Sequence, residues 1–188
     1  MQYDWVDSEL EPERASSCVP PGHDGVAVVV DGATCLLTPT VRAVAEALGF
    51  QTAPKDERYD VVIAGAGPAG MAAGVYGASE GLRVLIVERS AAGGQAGTSS
   101  RIENYLGFPS GISGDELTER ALKQARHFGS EIAVTRSIEA VLTTDTGYRV
   151  KLDGGEQIGA RAVLLSTGVD WHRIEVPEMC IRDSTQSV

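Results

Sequence analysis

Tyr59-Asp60-Val61-Val62-Ile63-Ala64 runs directly into Gly65-Ala66-Gly67-Pro68-Ala69-Gly70, and the 30 residues that start at Tyr59 close on Val84-Leu85-Ile86-Val87-Glu88. An apolar run of strand type, a G-x-G-x-x-G turn, a helical stretch to Glu80, a second apolar run and an acid at its end form one strand–turn–helix–strand unit. Each residue type has a physical reason. Gly65 permits the tight exit from the strand. Gly67 has no Cβ, so backbone can approach a pyrophosphate. Gly70 lets the helix lie close to the sheet. Pro68 suits a first helical turn because its missing N–H has no partner there anyway. The free N–H groups and the dipole of that turn favour phosphate. Glu88, 18 residues past Gly70, stands where a carboxylate can accept hydrogen bonds from ribose hydroxyls. The competing possibility is a glycine-rich turn that binds nothing.

The chain has 188 residues and a formal net charge of −10, with the acids scattered rather than blocked. That balance argues against a nucleic-acid partner. No apolar run approaches the roughly 20 residues of a membrane span, and the acidic opening segment carries no targeting signal. Cys18, Cys35 and Cys180 are far apart, odd in number and without a C-x-x-C, which fits a reducing cytoplasm better than a disulfide framework. His23, His127 and His172 lack metal-ligand spacing, so no metal site is expected. No residue reads as a general acid, general base or nucleophile.

Residues 1–52 differ in character from the rest of the chain. Residues 2–7 suit a short strand, and the Pro- and Gly-rich residues 9–25 a loop or frayed helix. Val26 to Val30 reads as a strand, Asp31-Gly32 as a hairpin turn and Thr34-Cys35-Leu36-Leu37 as the return. Thr40 can cap a helix from Val41 to Leu48 that stops at Gly49. Residues 53–58 form a polar linker. Past Glu88 comes a Gly- and Ser-rich loop to about Ser113. Ser113-Gly114-Asp115-Glu116 is a capping box opening a helix to about Phe128. After a short strand at residues 131–134, segments 137–144, 148–152 and 157–159 form a meander around Thr146-Gly147 and Gly154-Gly155. Ala162-Val163-Leu164-Leu165 reads as a buried strand running into Ser166-Thr167-Gly168. The expected fold class is therefore α/β, a Rossmann-like parallel sheet with helix on one face and a three-stranded β-meander on the other.

Gly65–Gly70, Gly93-Gly94-Gln95, Arg101-Ile102-Glu103-Asn104-Tyr105-Leu106-Gly107-Phe108-Pro109 and Leu164-Leu165-Ser166-Thr167-Gly168, taken in that order, resemble the FAD half of the thioredoxin reductase family of flavoproteins. The resemblance covers residues 59–177. It implies that Gly65, Ala66, Gly67, Pro68, Ala69 and Gly70 hold the FAD pyrophosphate. Glu88, with Arg89 beside it, would hold the adenosine ribose. Gly94 and Gln95 would lie along the ribityl chain and flavin, and Asn104 would reach the flavin. The backbone at Ile138 would touch adenine, and Thr167 and Gly168 would close over the cofactor. The resemblance further implies NADPH as electron donor, a disulfide or thioredoxin-like acceptor, and a homodimer as the assembly of the parent. Residues 1–52 resemble the last part of a thioredoxin-like domain, read as a remnant and not a redox centre. Residues 178–188 depart from the family pattern, so a truncated or chimeric frame is expected. The NADPH domain, and any C-x-x-C of the parent, would then fall outside the chain, leaving it inactive alone. A non-catalytic nucleotide-binding fragment and a simple NAD-dependent dehydrogenase domain remain as alternatives.

Overall fold

Strands form where β-branched and apolar residues run together, and the two faces of those strands find different partners. A computed structural model describes residues 4, 6–7, 9–20, 23, 25–32 and 34–169. Most of the strand expected at residues 2–7, together with His172 and the 178–188 tail, lies outside the described residues. A short helix, α1 (Pro12–Cys18), occupies the segment read as loop or frayed helix. Strands β1 (Ala27–Val30) and β2 (Thr34–Leu37) pair antiparallel in a hairpin. Asp31 and Gly32 both take positive φ there, +52° and +67°. Helix α2 (Val41–Ala47) starts where Thr40 Oγ1 accepts a hydrogen bond from Ala43 N at 3.1 Å.

The main sheet contains β3 (Arg58–Ala64), β4 (Val84–Val87), β5 (Glu131–Ala133), β6 (Ile138–Thr144), β7 (Gly147–Leu152) and β8 (Gln157–Leu165). Their spatial order is β5-β4-β3-β8-β7-β6. The β5-β4-β3-β8 pairings are parallel; β8-β7 and β7-β6 are antiparallel. Helices α3 (Pro68–Ser79) and α4 (Gly114–His127) cover one face. Ile63, Val84 and Ile86 meet Met71, Ala78 and Ala125 on that side. Their sequence neighbours Val62, Leu85 and Val87 turn to the opposite face, against Val150, Leu152 and Ile158 of the meander. All four residues of β4 are buried, as a strand covered on both faces requires.

Three expectations need correction. The third meander strand and the strand at residues 162–165 are one nine-residue element, β8. Its first part pairs with both β7 and β3, its second with β3 alone. That second part is not buried. Leu165 is 72% exposed and only Val163 packs on the core, because beyond Ala160 the outer edge of β8 has no partner strand among the described residues. The capping box at Ser113 is half formed. Glu116 N donates to Ser113 Oγ at 3.2 Å, while the Glu116 carboxylate pairs with Arg120 one turn on, at 2.5 Å.

The first 58 residues are not set apart by a gap in packing. Ala45 of α2 belongs to the helix-side core. Gln51 O accepts from Val134 N at 3.0 Å, and Thr52 is buried. Of the residues read as linker, Lys55 N donates to Glu131 Oε2 at 3.2 Å and Glu57 O accepts from Gly159 N at 2.8 Å, so they too are seated against the sheet.

Candidate functional site

The glycine turn sits at the carboxyl end of the parallel strands, between β3 and α3. Gly65 leaves β3 with φ +104°, and a Cβ there would lie 2.4 Å from Ser166 O. A Cβ on Gly70 would lie 1.9 Å from Gly65 O and 2.7 Å from Ser166 Oγ. Both glycines are demanded by the fold itself. Gly67 is different. Its φ of −75° suits any residue, and an added Cβ would meet nothing nearer than Gly94 Cα at 4.0 Å.

Gly67 is also the N-cap of α3, with no side chain to cap it. Met71 N donates to Gly67 O at 2.9 Å, beginning the helical ladder. The N–H groups of Gly67, Ala69 and Gly70 precede that ladder and have no acceptor within it, and Pro68 has no N–H. A pyrophosphate fits this arrangement on two counts: donors and dipole face it, and a glycine the protein does not need for its own packing leaves it room.

Three of the sequence motifs converge here. Gly93 N donates to Ala66 O at 2.8 Å. Gly94, at φ +56°, comes so near that its Cβ would lie 3.2 Å from Gly67 Cα. Gln95, in a short 3₁₀ helix (Gly94–Thr98), donates from its side-chain amide to Val169 O. Ser166 Oγ donates to Ala64 O and Gly65 O, which draws Thr167 and Gly168 alongside the turn. Asn104 is exposed and shares a shallow groove with Ala96 of the 3₁₀ helix. Its loop is pinned by a two-way bridge between Ile102 and Ile112.

Glu88 has a second task that its spacing did not reveal. It is only 8% exposed. Oε2 accepts from Ala66 N at 2.8 Å, and Oε1 accepts from Ser90 N at 3.0 Å and Ser90 Oγ at 3.2 Å. The carboxylate therefore ties the end of β4 to the glycine turn, and Oε2 retains a lone pair for a further donor. Arg89 is exposed beside it. Ile138 turns its side chain into the meander-side core, two residues beyond Arg136, whose N–H donates to Glu88 O at 2.9 Å.

Sequence reasoning missed the charged cluster behind this site. Arg136 is 3% exposed. It donates to Asp153 Oδ1 at 2.8 Å, Asp153 O at 2.7 Å and Thr52 O at 3.1 Å, and it also pairs with Glu156. Burial pushes the Asp153 carboxyl up, but hydrogen bonds from Arg136 and Ser137 N and the charge of Arg42 more than offset this and hold it below its ordinary value. These partners lie 17 to 111 positions apart in the chain, so no local spacing marks them. At the other end of β3, Tyr59 OH donates to Glu131 Oε2 at 3.0 Å. Burial, aided by the Glu131 charge, pushes the Tyr59 hydroxyl up to about 12. Among the described residues no cluster of three or more His, Cys, Asp or Glu could hold a metal ion, and no helix is long and apolar enough to cross a membrane.

The profile of the family described as pyridine nucleotide-disulphide oxidoreductase matches residues 59–187. The chain belongs to this family. The match takes in both the glycine turn and β8, and it extends through most of residues 178–188, which by sequence pattern alone stand apart as a tail. Within the family, the chain is 39% identical over 123 residues to thioredoxin reductase of Bacillus subtilis (strain 168), covering 65% of this chain and 38% of that protein. It is 37% identical over 115 residues to thioredoxin reductase of Aquifex aeolicus (strain VF5), covering 61% and 36%. Among solved structures, thioredoxin reductase from Streptococcus pyogenes MGAS5005 superposes with a TM-score of 0.60 at 32% identity, over 65% of this chain and 39% of that one. The chain spans under two fifths of the length of the curated relatives it matches.

Proposed function

We propose that this chain is the FAD-binding portion of a flavin-dependent oxidoreductase resembling thioredoxin reductase, in which electrons pass from NADPH through FAD to a disulfide or other acceptor. Gly67 carries this reading: the fold leaves glycine there without a packing reason of its own, at the start of a helix whose donors are free, opposite a second glycine turn. The N–H groups of Gly67, Ala69 and Gly70 hold the pyrophosphate. Glu88 takes a ribose hydroxyl on its open lone pair, with Arg89 beside it, and the backbone approaching Ile138 borders adenine. Gly94 and Gln95 line the ribityl and flavin side, Asn104 reaches in from the groove it shares with Ala96, and Thr167 and Gly168 close the opposite wall. Bound FAD supplies the hydride and electron chemistry, while the protein supplies orientation and phosphate binding.

The domain division that goes with this proposal sets residues 1–52 as a partial thioredoxin-like block and residues 59–177 as the FAD-binding unit. The donor in the parent is NADPH, the acceptor is a thioredoxin-like protein or another redox partner, the parent is a homodimer, and the setting is the reducing cytoplasm. The visible spectrum of the purified chain, with an FAD titration by flavin fluorescence, tests the cofactor. Yellow protein or saturable quenching supports it; a colourless chain that FAD does not titrate removes it.

A further inference from the structure

Thr135, between β5 and β6, adopts φ +56°. A β-branched residue enters that region only at a cost in strain, and it stays there when its surroundings over-determine it. The restraint comes from the far end of the chain. Arg42 of α2 places Nε at 3.2 Å and Nη2 at 2.8 Å from Thr135 O, and the same Nη2 reaches Asp153 Oδ2 at 2.6 Å. Thr135 Oγ1 donates to Val134 O at 2.7 Å.

The bend held this way in turn holds the segment that carries Glu88. Thr135 N donates to Ser90 O at 3.3 Å and Arg136 N to Glu88 O at 2.9 Å. Glu88 N donates to Ala133 O at 2.8 Å, and the Glu88 carboxylate fixes Ala66 N in the glycine turn. A clamp between α2 and the meander needs only the Asp153 contact. Arg42 also spends a two-pronged grip on one carbonyl at a strained residue, a geometry lysine cannot reproduce.

We propose that Arg42 is a positioning residue for the adenosine end of the nucleotide site, so that the segment ahead of the nucleotide-binding fold sets the affinity for that half of the cofactor. This rests on the FAD reading above. Arg42 touches no ligand; it acts through the Thr135 bend on Glu88 and Ser90.

The test compares wild type, Arg42→Met and Arg42→Lys for binding of FAD, ADP and FMN by calorimetry. Amide hydrogen exchange over residues 133–137 is followed in the ligand-free proteins. Arg42→Met is expected to bind FAD and ADP about tenfold more weakly, the scale of one lost charged hydrogen bond, with FMN unchanged. Its 133–137 amides should exchange faster. Arg42→Lys should move the same way by less. Adding Thr135→Gly to Arg42→Met should restore much of the ADP affinity, since glycine takes positive φ without strain. Equal losses for FMN and ADP would show general loosening and overturn the proposal, as would ADP affinity and exchange that do not change. If Arg42→Met does not fold, the Lys variant carries the same comparison. Wild type that binds neither FAD nor ADP brings down the FAD reading, and this inference with it.

Discussion

A methyl group on Gly70 would sit 1.9 Å from Gly65 O, whereas one on Gly67 would sit 4.0 Å from its nearest neighbour, so two alanine substitutions in one turn should separate folding from binding. Gly70→Ala overpacks the junction of α3 with β3 and β8 and should cost about 1–3 kcal/mol or more. Gly67→Ala should leave urea denaturation almost unchanged while weakening FAD binding, and Gly67→Val should abolish binding. A Gly67→Val protein that still copurifies with flavin would mean that this residue does not face phosphate. Glu88→Ala belongs between these cases. Its carboxylate satisfies the buried Ala66 N–H, so removal should cost about 1–3 kcal/mol of stability in addition to cofactor affinity. Denaturation and FAD titration of the same preparation separate the two losses. The glycines and the acid were legible in the sequence because their roles follow from spacing along a local unit. The inward use of Glu88 was not, because its donor Ala66 lies 22 residues away.

At the scale of elements, legibility followed locality. Thr40 and Ser113 both cap the helices they precede, since a cap needs only the N–H three residues on. Ser113→Ala should therefore lower stability by about 1 kcal/mol, visible in a thermal melt. Strand β8 was misread as two because Gly159 and Gly154-Gly155 look like punctuation. Gly154 and Gly155 do turn, both at positive φ. Gly159 lies inside the strand, where an added Cβ would come within 3.1 Å of Arg58 Cγ, so this glycine marks a close approach rather than a break. Tyr59, near the start of β3, gives an alkaline signature. Its hydroxyl is raised from 10.0 to about 12 by burial, so the neutral form is favoured in the fold. The stability it contributes is complete below pH 10 and fades as pH rises through about 12. Tyr59→Phe should flatten that alkaline loss in denaturation curves collected across the window.

Across the whole molecule, Arg136 joins parts of the chain that the sequence presents as separate. Thr52 precedes the sheet, Asp153 and Glu156 belong to the β7–β8 turn, and Arg42 reaches the same Asp153 from α2. Arg136→Met would keep the aliphatic stem but leave Thr52 O without this donor and Asp153 with only Arg42 and Ser137 as partners. Breaking a buried pair costs about 3–5 kcal/mol, and the lower end is expected here because Asp153 is partly exposed. The same cluster sets an acid limit. Asp153 is held below its ordinary 3.8 because its hydrogen bonds from Arg136 and Ser137 and the Arg42 charge outweigh the burial that pushes it up. A depressed carboxyl contributes stability that is present above the unfolded value and is lost as pH falls through the folded one. Unfolding followed from pH 7 to pH 2 should show stability falling below about pH 4, with part of that slope absent in Asp153→Asn. Arg136→Met should remove some of that slope but less than Asp153→Asn does, because the Ser137 hydrogen bond and the Arg42 charge still hold the carboxyl down. An acid slope identical in wild type, Asp153→Asn and Arg136→Met would show that this cluster does not couple the amino-terminal segment to the sheet.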